Sequence, residues 1–144
     1  MIDRAPVSEA FLHLIVKATG RPCGLGALPL VNGKPAEVPY TVLYPLGGPV
    51  GGAPLADASE DAELVYQLTS VAGRTDQAEW MADRGRRAVL ERAPSGAWRY
   101  PFEIPGVDVW GRELDADDGT DTTASAQGVV TSSQRYRLSA TGRT

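Results

Sequence analysis

The sequence predicts an α+β domain: two helices packed on one face of a mostly antiparallel sheet of about four strands, with long loops. Three observations predict it. Apolar residues recur at helical spacing in two separate stretches. Alternating apolar runs with strand spacing occupy four others. Their order along the chain is α-β-β-α-β-β. At 144 residues the chain has the length of one domain, spanning 1–144.

The first helix is expected over about residues 6–18. Pro6 suits an opening turn, where a missing N–H costs nothing. Val7, Phe11, Leu14, Ile15 and Ala18 follow at the spacing of one buried face, and Glu9, His13 and Lys17 form a polar stripe. Gly20 stops the helix. Residues 24–39 have the composition of a loop, with at most a short extended piece. The first strand follows at 40–46, where Tyr40, Val42, Tyr44 and Leu46 alternate with Thr41 and Leu43.

The next segment, 47–62, opens with four glycines and two prolines in eight residues, which marks a mobile loop. Its length exceeds the usual connection and hints at function. Residues 63–72 form the second strand. Leu64, Tyr66 and Leu68 oppose Val65, Thr69 and Val71, so this strand is expected to be central. The second helix is expected over about 76–92, capped by Thr75 and broken by "APSG" at 93–96. Residues 107–114 and 129–140 complete an antiparallel pair. The acidic link 115–128 is expected to be a second mobile loop.

Composition narrows the function classes. Hydrophobic residues are 42% and charged residues 22%, ordinary for a soluble protein. A net charge of −4 argues against specific nucleic-acid binding, which calls for a basic surface. The single Cys23 allows no intrachain disulfide and no cysteine-based metal cluster. The first twenty residues lack the pattern of a signal peptide. No run approaches the ~18 apolar residues of a membrane span. The expectation is a protein made and used in the cytoplasm, or built into a particle assembled there.

Little in the chain suggests catalysis. His13 falls on the exposed stripe of the first helix, and Cys23 lies in a loop without a family signature around it. A Cys-His nucleophile pair is conceivable, but a solvent-facing imidazole and a packed thiol are simpler. Asp115, Asp117, Asp118 and Asp121 resemble a calcium loop only in composition. The fifth position is already Gly119, and Ala126 stands where the twelfth-position glutamate belongs. No metal, cofactor or catalytic residue is therefore expected.

The "VAGRTDQAE" corner, where the second strand turns into the second helix, raises an anion site, because free amides cluster at a helix start. It lacks the second glycine and the Lys-Ser/Thr pair of a phosphate loop. Asp76 in the first turn would repel an anion and instead suits the helix dipole. The helix itself has two faces. Ala78, Met81, Ala82, Gly85 and Val89 share one, and their small size lets the helix lie close to a sheet. Trp80, Arg84, Arg87 and Glu91 share the other. Tryptophan and arginine are the side chains enriched at interface hot spots. This face, with Arg74 at the corner, is the candidate subunit interface; the alternative is that Trp80 packs beneath the 93–106 loop. Trp98, Tyr100, Phe102 and Trp110 form a second aromatic group, some of it core.

Four stretches taken together, "VPYTVLYPLGG", "DAELVYQLTSVAGRTDQAEWMADRGRRAVL", "WRYPFEIPG" and "SSQRYRLSAT", resemble the tail terminator proteins of long-tailed (siphovirus-type) bacteriophages of actinobacteria. The resemblance covers roughly residues 39–141 and rests on ordered similarity, not on a catalytic motif. It implies a structural virion protein without cofactor. Such proteins form a ring, typically a hexamer, on the head-proximal end of the tail tube. The ring stops tube polymerisation and offers a surface for the head-tail connector or stopper protein, while the genome DNA passes through. The implied location is the virion neck, after assembly in the host cytoplasm. Another neck protein, a head-completion or stopper subunit, is the alternative. Two departures stand out. "VAG" at 71–73 carries an extra alanine, which suggests a bulge at the strand end, and the 115–128 segment is unusually acidic. A closed ring needs two complementary patches per subunit. The Trp80 face supplies one, and the acidic segments 57–63 and 115–121 supply opposite charge for the other.

Overall fold

The computed structural model describes residues 2–47, 50–51 and 61–142. The chain opens with α1 (Arg4–Thr19), which starts two residues before and ends one residue after the span its apolar spacing predicts. Gly20 closes it in the left-handed conformation at φ 70°, and its N–H donates to the Val16 carbonyl at 2.9 Å. The expected stripe is buried: Val7, Phe11 and Ile15 are fully inaccessible and Leu14 nearly so. Each such side chain contributes about 1.5–3 kcal/mol by leaving water.

The strands are β1 (Cys23–Leu25), β2 (Leu30–Val31), β3 (Lys34–Pro35), β4 (Tyr40–Gly47), β5 (Val50–Gly51), β6 (Asp61–Ala72), β7 (Val107–Asp121) and β8 (Val130–Gly142). Helix α2 (Thr75–Leu90) separates β6 from β7. The α+β class holds, but the expectation of about four mostly antiparallel strands is overturned. Among the described residues the main sheet runs β1-β4-β6-β8-β7, with β5 also paired to β6, and β2 and β3 form a separate two-stranded sheet. The main sheet is mixed, because β1 lies parallel to β4. Two features escaped the alternation pattern. β1 is only three residues long, inside a Gly/Pro-rich segment, and β7 continues through polar residues with no apolar face to announce it.

That continuation corrects a second expectation. Residues 115–121 are not a mobile loop; they are the second half of β7, paired with β8 from Ala116↔Arg135 to Asp121↔Thr131. The remainder turns through a short 3-10 segment (Ser125–Gln127) ended by Gly128 at φ 77°. Most of the other expected loop, 47–62, lies outside the described residues.

The centre of the sheet is the β6–β8 ladder. It runs in unbroken register from Asp61↔Thr141 to Ala72↔Val130, so the bulge expected at 71–73 is absent from it. The bulges sit on β7 instead. The register against β8 shifts three times, passing over Trp110, Asp115 and Asp118. Bulges on an edge strand interrupt the row of free amides and carbonyls that would otherwise template another strand.

Both helices cover one face of this sheet. Leu64, Tyr66 and Leu68 of β6 and Tyr136, Leu138 and Ala140 of β8 point into the core, while Val65, Gln67 and Thr69 sit half-buried on the other side. Phe11 of α1 meets the Tyr66 ring at 4.9 Å, and Ser8 Oγ lies 2.8 Å from the Tyr66 hydroxyl. The small residues of α2 allow the close approach that the sequence predicts. A Cβ added at Gly85 would stand 2.7 Å from Leu68 Cδ2, inside contact distance. The 91–106 segment returns from α2 to β7 and contributes Phe102, edge-on to Phe11 at 5.6 Å.

Candidate interaction surface

The corner between β6 and α2 is built by its own side chains. Arg74 is extended at φ −142° and ψ 156° and occupies the capping position, one residue earlier than the Thr75 cap that the sequence suggests. The cap is made in reverse: Gln77 Oε1 reaches back to accept the Gly73 N–H at 3.1 Å. Arg74 Nε donates to Asp76 Oδ1 at 3.0 Å. That hydrogen bond holds the Asp76 carboxyl below its ordinary value. The corner thus presents a closed pair of opposite charges, a poor receptor for an anion.

From this corner the outer flank of α2 runs away from the sheet. Trp80 is 44% exposed, and the Arg84 guanidinium lies over its ring at 4.5 Å from the centroid. Such stacking is worth about 0.5–1 kcal/mol where solvent reaches it. Arg87 and Glu91 follow on the same flank, both exposed. Glu91 meets Arg99 of the return segment at 4.0 Å. Among the described residues neither Arg84 nor Arg87 has an ion-pair partner.

Two clefts flank this stripe. One, of about 450 Å³, is lined by Arg21, Pro39, Arg74, Asp76, Gln77 and Trp80. The other, of about 290 Å³, lies between α1 and α2 and is bounded by Ala18, Arg84, Arg87, Ala88, Glu91, Arg99 and Tyr100. The five residues singled out from the sequence therefore fall on one continuous surface, Arg74 and Trp80 at one end and Arg84, Arg87 and Glu91 at the other. Trp80 and Arg84 touch, whereas Arg74 is engaged by Asp76.

The aromatic residues divide sharply. Trp98 has the Arg92 guanidinium at 3.8 Å and the Arg112 guanidinium at 4.5 Å from its ring centroid. Arg112 is buried; it also lies 4.5 Å from the Phe102 ring and donates from Nη1 to the Val89 carbonyl at 3.1 Å, near the end of α2. Burial, and secondarily the nearby Arg92 charge, push its pKa down to about 10, which leaves it charged at neutral pH. The 93–106 segment thus packs on Arg112 and Phe11, and Trp80 is left outside. Trp110 is 60% exposed on the helix-free face of the sheet, where its Nε1 donates to Thr141 Oγ1 at 3.0 Å.

Two parts of the surface were missed in the sequence. Arg21 donates from Nε to the Pro39 carbonyl at 2.9 Å and from Nη2 to the Glu37 carbonyl at 3.3 Å, tying the 21–39 segment to the start of β4. From that tie the β2–β3 arm projects with Leu28, Leu30, Val31 and Val38 all exposed, Leu30 by 65%. The signal was present in "GALPLV", an apolar cluster too short for a helix and too rich in Gly and Pro for a long strand.

Other candidates are placed differently. His13 is exposed and borders a shallow cleft with Lys17, Tyr100 and Glu103. Cys23 is buried in β1, and burial pushes its thiol pKa up, which disfavours the nucleophilic thiolate. Of the aspartates on β7, Asp115 pairs with Arg137 at 3.0 Å, and Arg137 also reaches Glu63 at 3.6 Å. Asp117 accepts from the Gly119 N–H and from Gln134 Nε2, and Asp121 accepts from the Thr123 N–H. These carboxylates serve turns and ladders. Among the described residues no three His, Cys, Asp or Glu side chains are grouped to hold a metal, and no helix is long and apolar enough to cross a membrane.

No family model matches this chain, and no curated protein matches it significantly.

Proposed function

We propose that this chain is a structural virion protein that forms a homo-oligomeric ring, a hexamer in the family it resembles, on the head-proximal end of a bacteriophage tail tube. The ring stops tube polymerisation and presents the surface on which the head-tail connector or stopper protein docks. It works at the virion neck after assembly in the host cytoplasm and needs no catalytic residue or cofactor. Genome DNA passes through the ring without sequence-specific contacts.

One observation carries the proposal: the outer flank of α2, where Trp80 is 44% exposed beneath Arg84 and beside an open cleft. Tryptophan and arginine in that setting are the side chains that anchor protein interfaces. The ordered similarity of residues 39–141 to tail terminators supplies the kind of assembly. The exposed apolar arm around Leu30 and Val31 supplies a second unpartnered surface, suited to a tube or connector subunit.

Negative-stain imaging of the purified protein, with and without tail tube protein, tests the proposal. Rings that seat on tube ends and halt their growth are expected. Gold-labelled antibody should mark the head-proximal tip of tails that have never met heads. Label found only after head joining assigns the protein to the stopper or head-completion class. A protein that stays monomeric at 15.3 kDa beside growing tubes removes the ring altogether.

A further inference from the structure

The two charged patches of the subunit face different sides of it, although α2 itself packs on β6, β8 and β7. Arg21 and Pro39, which wall the Trp80 cleft, flank β1 and β4, and β1 ends the sheet on that side. Arg84 and Arg87 border the neighbouring cleft against α1. The acidic stretch belongs to β7, which ends the sheet on the other side. There Glu113 and Asp118 are exposed and without ion pairs among the described residues, as Arg84 and Arg87 are on α2. Asp118 stands in one of the three bulges, with no partner residue on β8.

We propose that the α2 flank carrying Trp80, Arg84 and Arg87 receives the acidic β7 edge around Glu113 and Asp118 of a second copy of this chain, head to tail. The proposal rests on the ring assignment and names its subunit contact. Among the described residues these opposite charges form no ion pair within one copy, and between copies they can. Contacts of this heterologous kind repeat, and they close into a ring when the rotation between neighbours divides a full turn. The bulges exclude the simplest alternative, addition of the neighbour's strand to the β7 edge, because they break the row of backbone groups such pairing needs. Side chains therefore make the contact, with Trp80 as its apolar anchor and the charges setting orientation.

Sedimentation equilibrium on charge-reversed variants tests the pairing. Arg84→Glu with Arg87→Glu, or Glu113→Lys with Asp118→Lys, should each weaken self-association by about 100-fold or more. Mixed one to one, the two variants should associate again, since each patch then meets its opposite. A chain carrying all four changes keeps the wild-type net charge and should also self-associate. Circular dichroism of each variant checks that it is folded. Wild-type association by the β7 variant, or no association in the mixture, overturns the pairing. If the wild type forms rings that neither reversal disturbs, the pairing falls and the ring assignment stands. If the wild type never associates, with or without tube protein, both fall.

Discussion

Two tryptophan-arginine stacks bracket the second helix, and they do opposite things. At its far end Trp98 lies against both Arg92 and Arg112, and Arg112 is buried with its Nη1 on the Val89 carbonyl. On its outer flank Trp80 lies under Arg84, 44% exposed, and among the described residues the guanidinium has no backbone acceptor. The pairing chemistry is the same. What differs is whether the cation is desolvated and hydrogen-bonded. The inner stack fastens the return segment to the fold, so its loss should appear as instability. The outer stack lies at the surface beside an open cleft, so its loss should appear mainly when a partner is present.

The largest effect expected of a single change is therefore at the inner stack. Arg112→Ala removes a helix-end hydrogen bond and the platform under two rings. It should cost about 3 kcal/mol, a fall of roughly 6–12 °C in Tm by calorimetry. A loss below about 1 kcal/mol would erase the contrast between the two stacks. Next comes the inner face of the same helix. Gly85→Ala pushes a methyl to 2.7 Å from Leu68 Cδ2, and urea titration should show about 1–2 kcal/mol of destabilisation. In a Leu68→Ala background, which itself costs about 2–5 kcal/mol, the added cost of Gly85→Ala should shrink because the methyl then has room.

Trp80→Ala should leave monomer stability within about 0.5 kcal/mol of wild type while weakening self-association in light scattering. A sharp drop in Tm would mean that Trp80 is structural after all. The smallest effect is expected at the corner. Arg74 lowers the Asp76 pKa, so the pair stabilises above the ordinary carboxylate range and fades as pH falls through the folded value. Both side chains are strongly exposed, 72% and 76%, so Asp76→Asn should leave Tm unchanged near neutral pH.

The helices and the two apolar strands were legible because each carries its own burial pattern. Phe11, Leu14 and Ile15 announce α1, and Ala78, Met81 and Gly85 announce the face of α2 that meets the sheet. The Trp80 flank was legible for the complementary reason, a large apolar side chain on the polar side of a wheel. Residues 115–121 were not legible, since a strand of Asp, Gly and Thr has no pattern of its own. Its order comes from pairing with β8 some 10 to 24 residues away, from Asp121↔Thr131 to Glu113↔Arg137, and from Arg137, which links Glu63, Asp115 and their two strands across β8. β1 was hidden likewise: three residues held by β4 and α1 have no local period. The β2–β3 arm was hidden because its apolar residues face water, where no periodicity is required.

The contact between Leu68 and Gly85 reaches further than the core it fills. A helix seated with no clearance over a buried leucine can neither roll nor slide without opening a gap. Trp80, Arg84 and Arg87 are therefore presented in one backbone geometry before any partner arrives. Ordering a flexible side chain at an interface costs about 0.5–1.5 kcal/mol, and ordering a loose helix would add to it. With the backbone fixed and Trp80 already stacked, binding has only the remaining rotamers to settle. The tightness of one glycine on the hidden side of α2 thus bears on affinity at its exposed side.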